Sequence, residues 1–275
     1  MIISRTPLRL SFLGGGTDYP AWYNDHGGAV VATTIDKYCY VTLHNGKMWD
    51  TYDMPTKSGL ATSSAFTVGL LRVCSNLDKV TLAAVATLWE QEKMSYNVGS
   101  QDQYLCAVGG FHLLHFDEHG LRDTPIEDGD WLQDYLLLFD THQRRISGNI
   151  IADQLKQMKK HHQSYHRLVE LAELGYDSIQ SKDWQSFGEL MNEGWTLKRE
   201  LSSLISSDRI DEIYSSAKEA GAIGGKLLGG GGGGFILLVV EPEKHQNVRS
   251  TLERLTHVPF QFEYDGTEVI YDRPK

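Results

Sequence analysis

GGKLLGGGGGGFILLVV, residues 224–240, sets six consecutive glycines, Gly229 to Gly234, directly before an apolar run. Glycine costs about 0.5–1 kcal/mol relative to alanine where regular structure is wanted. Such a run is therefore either a slack linker or a place where backbone must pass very close to something. The flanks argue against a linker, because FILLVV has the pattern of a buried strand and GGKLL is not slack either. A dinucleotide fingerprint should follow a strand and open a helix, whereas this run precedes a strand. A Walker A loop would need glycine where Ala220 stands and Ser or Thr where Leu227 stands. For the run alone, a glycine-rich structural turn remains the plain reading.

Two further loops of small residues change the weighing. SGLATSSAFTVGLL, residues 58–71, leads into an apolar-faced helix with Thr62, Ser63 and Ser64 at its start. Free N–H groups and the positive dipole end favour phosphate there, although a serine-capped helix is the ordinary alternative. GGGTDYP, residues 14–20, is the third loop, and its Asp18 is a carboxylate suited to hydroxyl groups. Three such loops, far apart in sequence and each at a strand or helix end, are hard to explain as unrelated turns.

Bulk properties narrow the partners. The 275 residues are 41% apolar and 23% charged, which fits one large domain or two moderate ones. A net charge of −10 argues against nucleic acid and against an anionic membrane surface. Cys39, Cys74 and Cys106 are odd in number and lack a CxxC pattern, so a reducing cytoplasm fits better than a disulfide framework. No signal peptide is visible and no apolar run approaches the length of a membrane span. His112-x-x-His115 and His161-His162 lack a matching Cys or His cluster, so neither pair predicts a metal site.

Periodicity gives the organisation. Residues 7–13 alternate as a strand, residues 27–44 read as two strands around Asp36-Lys37, and 63–77, 81–94 and 101–108 read as helices. Strands return at 110–116 and 135–141, followed by mostly helical sequence from 147 to 201, broken near Gly175 and at 181–183. A helix at 208–220, a strand at 235–240, a further helix and one or two short strands close the chain. Helices and strands mix without strict βαβ alternation, so the expected class is α+β. The change to long helices after residue 141 predicts two packed domains, 1–131 and 132–275.

RTPLRLSFLGGGTDYP, SGLATSSAFTVGLL and GGKLLGGGGGGF resemble, in order, the three motifs of the GHMP kinases, which include galactokinase, homoserine kinase and mevalonate kinase. Within that family, GGGTDYPAWYNDHGGAVVATTIDKY, VGSQDQYLCAVGG and WTLKRELSSLISSDRIDEIYSSAKEAGAIGGKLLG are most similar to sugar 1-kinases acting on D-glycero-D-manno-heptose 7-phosphate. The resemblance implies an N-terminal mixed α/β domain with a left-handed βαβ unit and a ferredoxin-like C-terminal domain. It also implies phosphorylation of the anomeric hydroxyl of that sugar phosphate, with ATP and Mg2+ required. The rivals are a related fucose or hexose kinase and a catalytically silent member that binds sugar or nucleotide. A small-molecule sugar phosphate would be the partner of a monomer or homodimer.

The family's roles transfer onto matching positions. Ser58, Gly59, Leu60, Ala61, Thr62, Ser63 and Ser64 match the ATP loop, with Ser63 and Glu90 at the Mg2+ positions and Glu92 a weaker alternative. Asp102 matches the catalytic aspartate and Arg9 the arginine beside it. Gly15, Gly16, Thr17 and Asp18 match the sugar-binding loop, and Gly230 and Gly231 belong to the third motif. The glycines of that motif are expected to let backbone approach the nucleotide loop. The substrate's own phosphate needs a local cationic cluster, for which Arg145 and Arg199, in the pairs Arg144-Arg145 and Lys198-Arg199, are the candidates. Two departures stand out. Ala61 replaces a loop glycine, at a cost if that position needs positive φ, and the segment between His44 and Pro55 is shorter than the resemblance implies.

Overall fold

The computed structural model describes residues 1–94, 98–144 and 147–273. Strand β1 (Ile2–Leu13) pairs antiparallel along most of its length with β2 (Gly28–His44), a single strand of 17 residues rather than two. Asp36 and Lys37, the expected interruption, form a bulge: Pro7 pairs with Tyr38 while Leu8 pairs with Ile35. A bulge lets one strand kink without ending the ladder. Asn45 and Gly46 both take positive φ, the geometry of a tight hairpin turn, and connect β2 to β3 (Lys47–Tyr52). The short stretch before Pro55 thus folds as a hairpin arm.

Helices α2 (Thr62–Cys74), α3 (Lys79–Leu88) and α4 (Gln101–Val108) follow, then β4 (Phe111–Asp117) and β5 (Gly120–Pro125). Both β3 and β4 pair with β2 antiparallel, at opposite ends of it, so they run parallel to each other across the helical connection. Helix α2 packs on β1 and β2.

The second sheet holds β6 (Leu136–Asp140), β7 (Ala222–Leu227), β8 (Phe235–Val240) and β9 (Thr256–His257), in the order β7-β8-β6-β9. Helices α5 (Ser147–Gln157), α6 (His162–Gln180), α7 (Trp184–Glu200) and α8 (Asp208–Glu219) connect β6 to β7, and α9 (His245–Thr251) connects β8 to β9. That order and connectivity are those of a ferredoxin-like sheet. Every residue of β6 and β8 is buried, as their continuous apolar runs require.

The chain does not stay in the second sheet. β10 (Phe262–Glu263) and β11 (Glu268–Asp272) return to pair with β2 and β1, so these two strands belong structurally with the first half. Helix α6 also runs unbroken through Gly175. A side chain there would lie 2.2 Å from Leu13 Cδ1, so this glycine brings the helix onto the end of β1 and does not break it. Among the described residues no helix is long and apolar enough to cross a membrane.

Candidate active site

A cavity of about 790 Å3 opens where the loops after β1, before α2 and before β8 converge. The last of these is the glycine run, and its neighbour is backbone. A Cβ on Gly229 would lie 2.5 Å from Gly59 Cα, and one on Gly234 would lie 2.2 Å from the Ser58 carbonyl oxygen. Phe235 N–H donates to that same carbonyl at 3.2 Å. The glycines therefore let the third loop lie directly against the loop before α2.

That loop is strained at Ala61, the position expected to hold a glycine. Ala61 sits at φ 61°, ψ 28°, the left-handed region that L-residues enter at a cost. It occupies the N-cap position, and no side chain caps the helix, so the first N–H groups of α2 are left for a ligand. Thr62, Ser63 and Ser64 follow and line the cavity, with Ser63 exposed. The serine-capped alternative is not what forms.

Opposite stand the charged groups. Arg9 donates from Nε to Asp102 Oδ1 at 2.7 Å and from Nη2 to Oδ2 at 2.9 Å, and from Nη1 to the Gly59 carbonyl at 2.7 Å. It therefore ties the carboxylate to the phosphate-type loop. Burial alone would lower the Arg9 pKa, but the charge and hydrogen bonds of Asp102 outweigh it and hold it above the usual value. Asp18 is 2% exposed and accepts from the Gly16 N–H at 3.0 Å. Burial, then the charge of Asp102, raises its pKa. Gly15, Gly16, Gly230 and Gly231 also line the cavity.

The cationic groups of the cavity differ from those expected. Arg199 is directed away: it pairs with Asp211 at 3.1 Å and lies 5.9 Å from the Trp195 ring. Successive helical residues diverge by about 100°, and it is Lys198 that enters the cavity, beside the Gly229 carbonyl. Lys226 of β7 is its companion, donating to the Phe12 carbonyl at 3.0 Å. Burial, reinforced by Arg9, lowers Lys198 to about 8, and burial and then Lys198 push Lys226 down as well. Arg144 is engaged by Asp140 at 2.6 Å, and Arg145 lies outside the described residues.

Several expected positions support the wall from behind. Thr17 is fully buried and donates to the Gly14 and Ala29 carbonyls, which fixes the turn that presents Asp18. Leu60 is a core residue, and Ser58 contributes its carbonyl to the glycine run. Glu90, at the start of a π-helical turn, is fully buried and does not line the cavity. Its carboxylate accepts from Ser64 at 2.9 Å, Thr67 at 2.7 Å and Gln103, and burial raises its pKa. As a donor set for Mg2+, the exposed Ser63 hydroxyl fits. Glu90 fits only as a charge one layer behind Ser64.

The sequence reading took Arg199 from the pair Lys198-Arg199 and missed Lys226, yet a signal existed for each lysine. Met191, Trp195 and Lys198 share the buried stripe of α7, and Lys226 sits inside a buried strand. A lysine at either position is exceptional unless something anionic meets it.

Residues 31–110 match the family described as GHMP kinases N terminal domain and residues 176–256 the one described as GHMP kinases C terminal, together more than half of the chain. The D-glycero-alpha-D-manno-heptose 7-phosphate kinase of Campylobacter jejuni subsp. jejuni is 25% identical over 316 residues, spanning 92% of this chain and 93% of that one. A D-glycero-D-manno-heptose 1-phosphate kinase from Bacteriodes thetaiotaomicron shares the fold with a TM-score of 0.80 at 22% identity, over 100% of both chains. Lactococcus lactis galactokinase, solved with galactose, aligns with a TM-score of 0.72 at 16% identity, over 97% of this chain and 94% of that one.

Proposed function

The chain belongs to the GHMP kinase family, and we propose that within it this protein phosphorylates the anomeric hydroxyl of D-glycero-D-manno-heptose 7-phosphate at the expense of ATP, giving the 1,7-bisphosphate. One observation supports phosphoryl transfer above the rest: the bidentate Arg9–Asp102 pair shares one cavity with the uncapped start of α2. The heptose phosphate acceptor is supported by the likeness to the Campylobacter enzyme and by the two buried lysines.

The roles follow from position. The first amides of α2, with the hydroxyls of Thr62 and Ser63, hold the nucleotide phosphates. Asp18 accepts hydrogen bonds from sugar hydroxyls and fixes the ring. Asp102 takes the proton of the anomeric hydroxyl as its oxygen bonds to the γ-phosphorus and the bond to the bridging oxygen of ADP breaks. A positioned base of this kind contributes about 10²–10⁴-fold. Arg9 holds Asp102 in place and offsets charge on the transferred group. Lys198 and Lys226 meet the sugar's own phosphate, each such contact contributing about 1.5–3 kcal/mol. Mg2+, with Ser63 as its protein ligand and Glu90 behind, supplies charge neutralisation on the phosphates when bound.

ADP release with Mg2+ and ATP, measured against heptose 7-phosphate, free heptose, fucose and galactose, tests the reading. The phosphorylated sugar is expected to be turned over with kcat/KM about tenfold or more above any free sugar. Equal or better use of fucose or galactose would identify a hexose kinase, and no turnover of any acceptor would identify a silent binder.

A further inference from the structure

Helix α1 (Pro20–His26) ends in His26, and α6 begins with His162 and carries His166 one turn later. One ring nitrogen of each imidazole lies within 4.8 Å of the others, and all three residues are exposed. The expectation that His161-His162 lacks a partner cluster fails for His162. His26 is more than a hundred residues away in sequence, and His166 is its i+4 neighbour on the same helix face.

Two features together mark these rings. His112 and His115 have conventional partners: His112 bonds Asp123 and the Gly109 carbonyl, both at 2.6 Å, and His115 bonds Glu173 at 2.5 Å. The ring nitrogens of His26, His162 and His166 have no hydrogen-bond partner among the described residues. Their rings are also held in place, because each packs on the buried Trp22, with centroids 4.4, 5.2 and 5.0 Å from it. Packing explains the ring planes. It does not explain three unpartnered nitrogens brought together on the wet side of the indole.

We propose that His26, His162 and His166 bind one divalent transition-metal ion of the zinc class. Imidazole suits Zn2+, Co2+, Ni2+ and Cu2+, whereas hard Mg2+ prefers oxygen ligands. Three histidines leave a further coordination position open. The ion ties the end of α1 to the first turn of α6. It acts beside the sugar loop, because Tyr165 of α6 stacks on Trp22 at 5.0 Å and lies against Gly16, two residues before Asp18.

The test is equilibrium dialysis of the metal-free chain against Zn2+ in excess Mg2+, repeated with Co2+ for its visible absorption bands. His162→Gln and His166→Gln are compared with His119→Gln, an exposed histidine outside the cluster. One saturable equivalent is expected in the wild type and His119→Gln, weakened about tenfold or more in either cluster variant. Zn2+ is also expected to raise the Tm of the wild type but not of His166→Gln. Circular dichroism of the metal-free variants establishes that they are folded. Absence of a saturable equivalent in the wild type, or binding unchanged in both folded variants, overturns the proposal.

Discussion

Arg9 and Asp102, 93 positions apart, meet through two parallel hydrogen bonds of 2.7 and 2.9 Å, and the same guanidinium holds the Gly59 carbonyl. One side chain thus fixes the distance between a carboxylate and the loop before α2. The two Arg9 bonds occupy about half of the carboxylate's acceptor sites, and the side chain of Asp102 is 25% exposed. Acceptor capacity therefore remains for an incoming hydroxyl.

Asp102→Asn is expected to fold and to bind ATP normally while kcat falls about 10²-fold or more. Calorimetric nucleotide titration beside steady-state turnover checks both halves. Intact binding with turnover within a fewfold of wild type would remove Asp102 from the chemistry.

Lys198 should give the enzyme an alkaline limit. Burial and then Arg9 lower its pKa to about 8, so it is charged below that pH and neutral above it. The kcat/KM for the phosphorylated sugar is therefore expected to fall as pH rises through about 8. In Lys198→Met it is already about tenfold or more lower at neutral pH, with a shallower alkaline decline. Stability moves the opposite way. A lysine whose folded pKa lies below its unfolded value of 10.5 destabilises the native state most below about 8. Lys198→Met should accordingly raise Tm at neutral pH. Arg199→Ala removes a partly exposed ion pair with Asp211, of about 0–1 kcal/mol, and a contact with the Trp195 ring, both outside the cavity, and should leave kcat/KM nearly unchanged.

Ala61 reports on the strain of the loop. Its φ of 61° costs about 1–2 kcal/mol for an L-residue, partly offset because glycine loses more entropy on folding. Ala61→Gly is expected to leave Tm equal or higher and to bind ATP equally or more tightly. Ala61→Val, β-branched and hence far less tolerant of this region, should weaken nucleotide binding. Clearly weaker binding in the glycine variant would mean that the alanine methyl contributes a contact that outweighs its strain.

The sequence was informative wherever chemistry and periodicity coincide. The helix Gln101–Val108 and the strand Phe235–Val240 appear at the residues that their patterns mark. The three small-residue loops do converge on one cavity, because each sits at an element end where backbone is free to meet a ligand. What stayed hidden depends on long-range packing. The run from Gly28 to His44 is one strand because β1 continues past the bulge, and Gly175 continues its helix because Leu13 fills the space beside it. Lys198, not Arg199, continues the stripe of Met191 and Trp195, but that stripe faces the cavity only through the packing of α7 on the second sheet. The three-histidine cluster required the pairing of α1 with α6, which no local pattern encodes.

The proposed reaction transfers phosphate to the anomeric oxygen of a sugar that already bears one. Phosphorus NMR of the reaction with heptose 7-phosphate, Mg2+ and ATP measures this directly. A new phosphate resonance coupled to the anomeric proton is expected, appearing in step with ADP while the 7-phosphate signal persists. A new phosphate at any other carbon, or ADP released with inorganic phosphate alone, would contradict it.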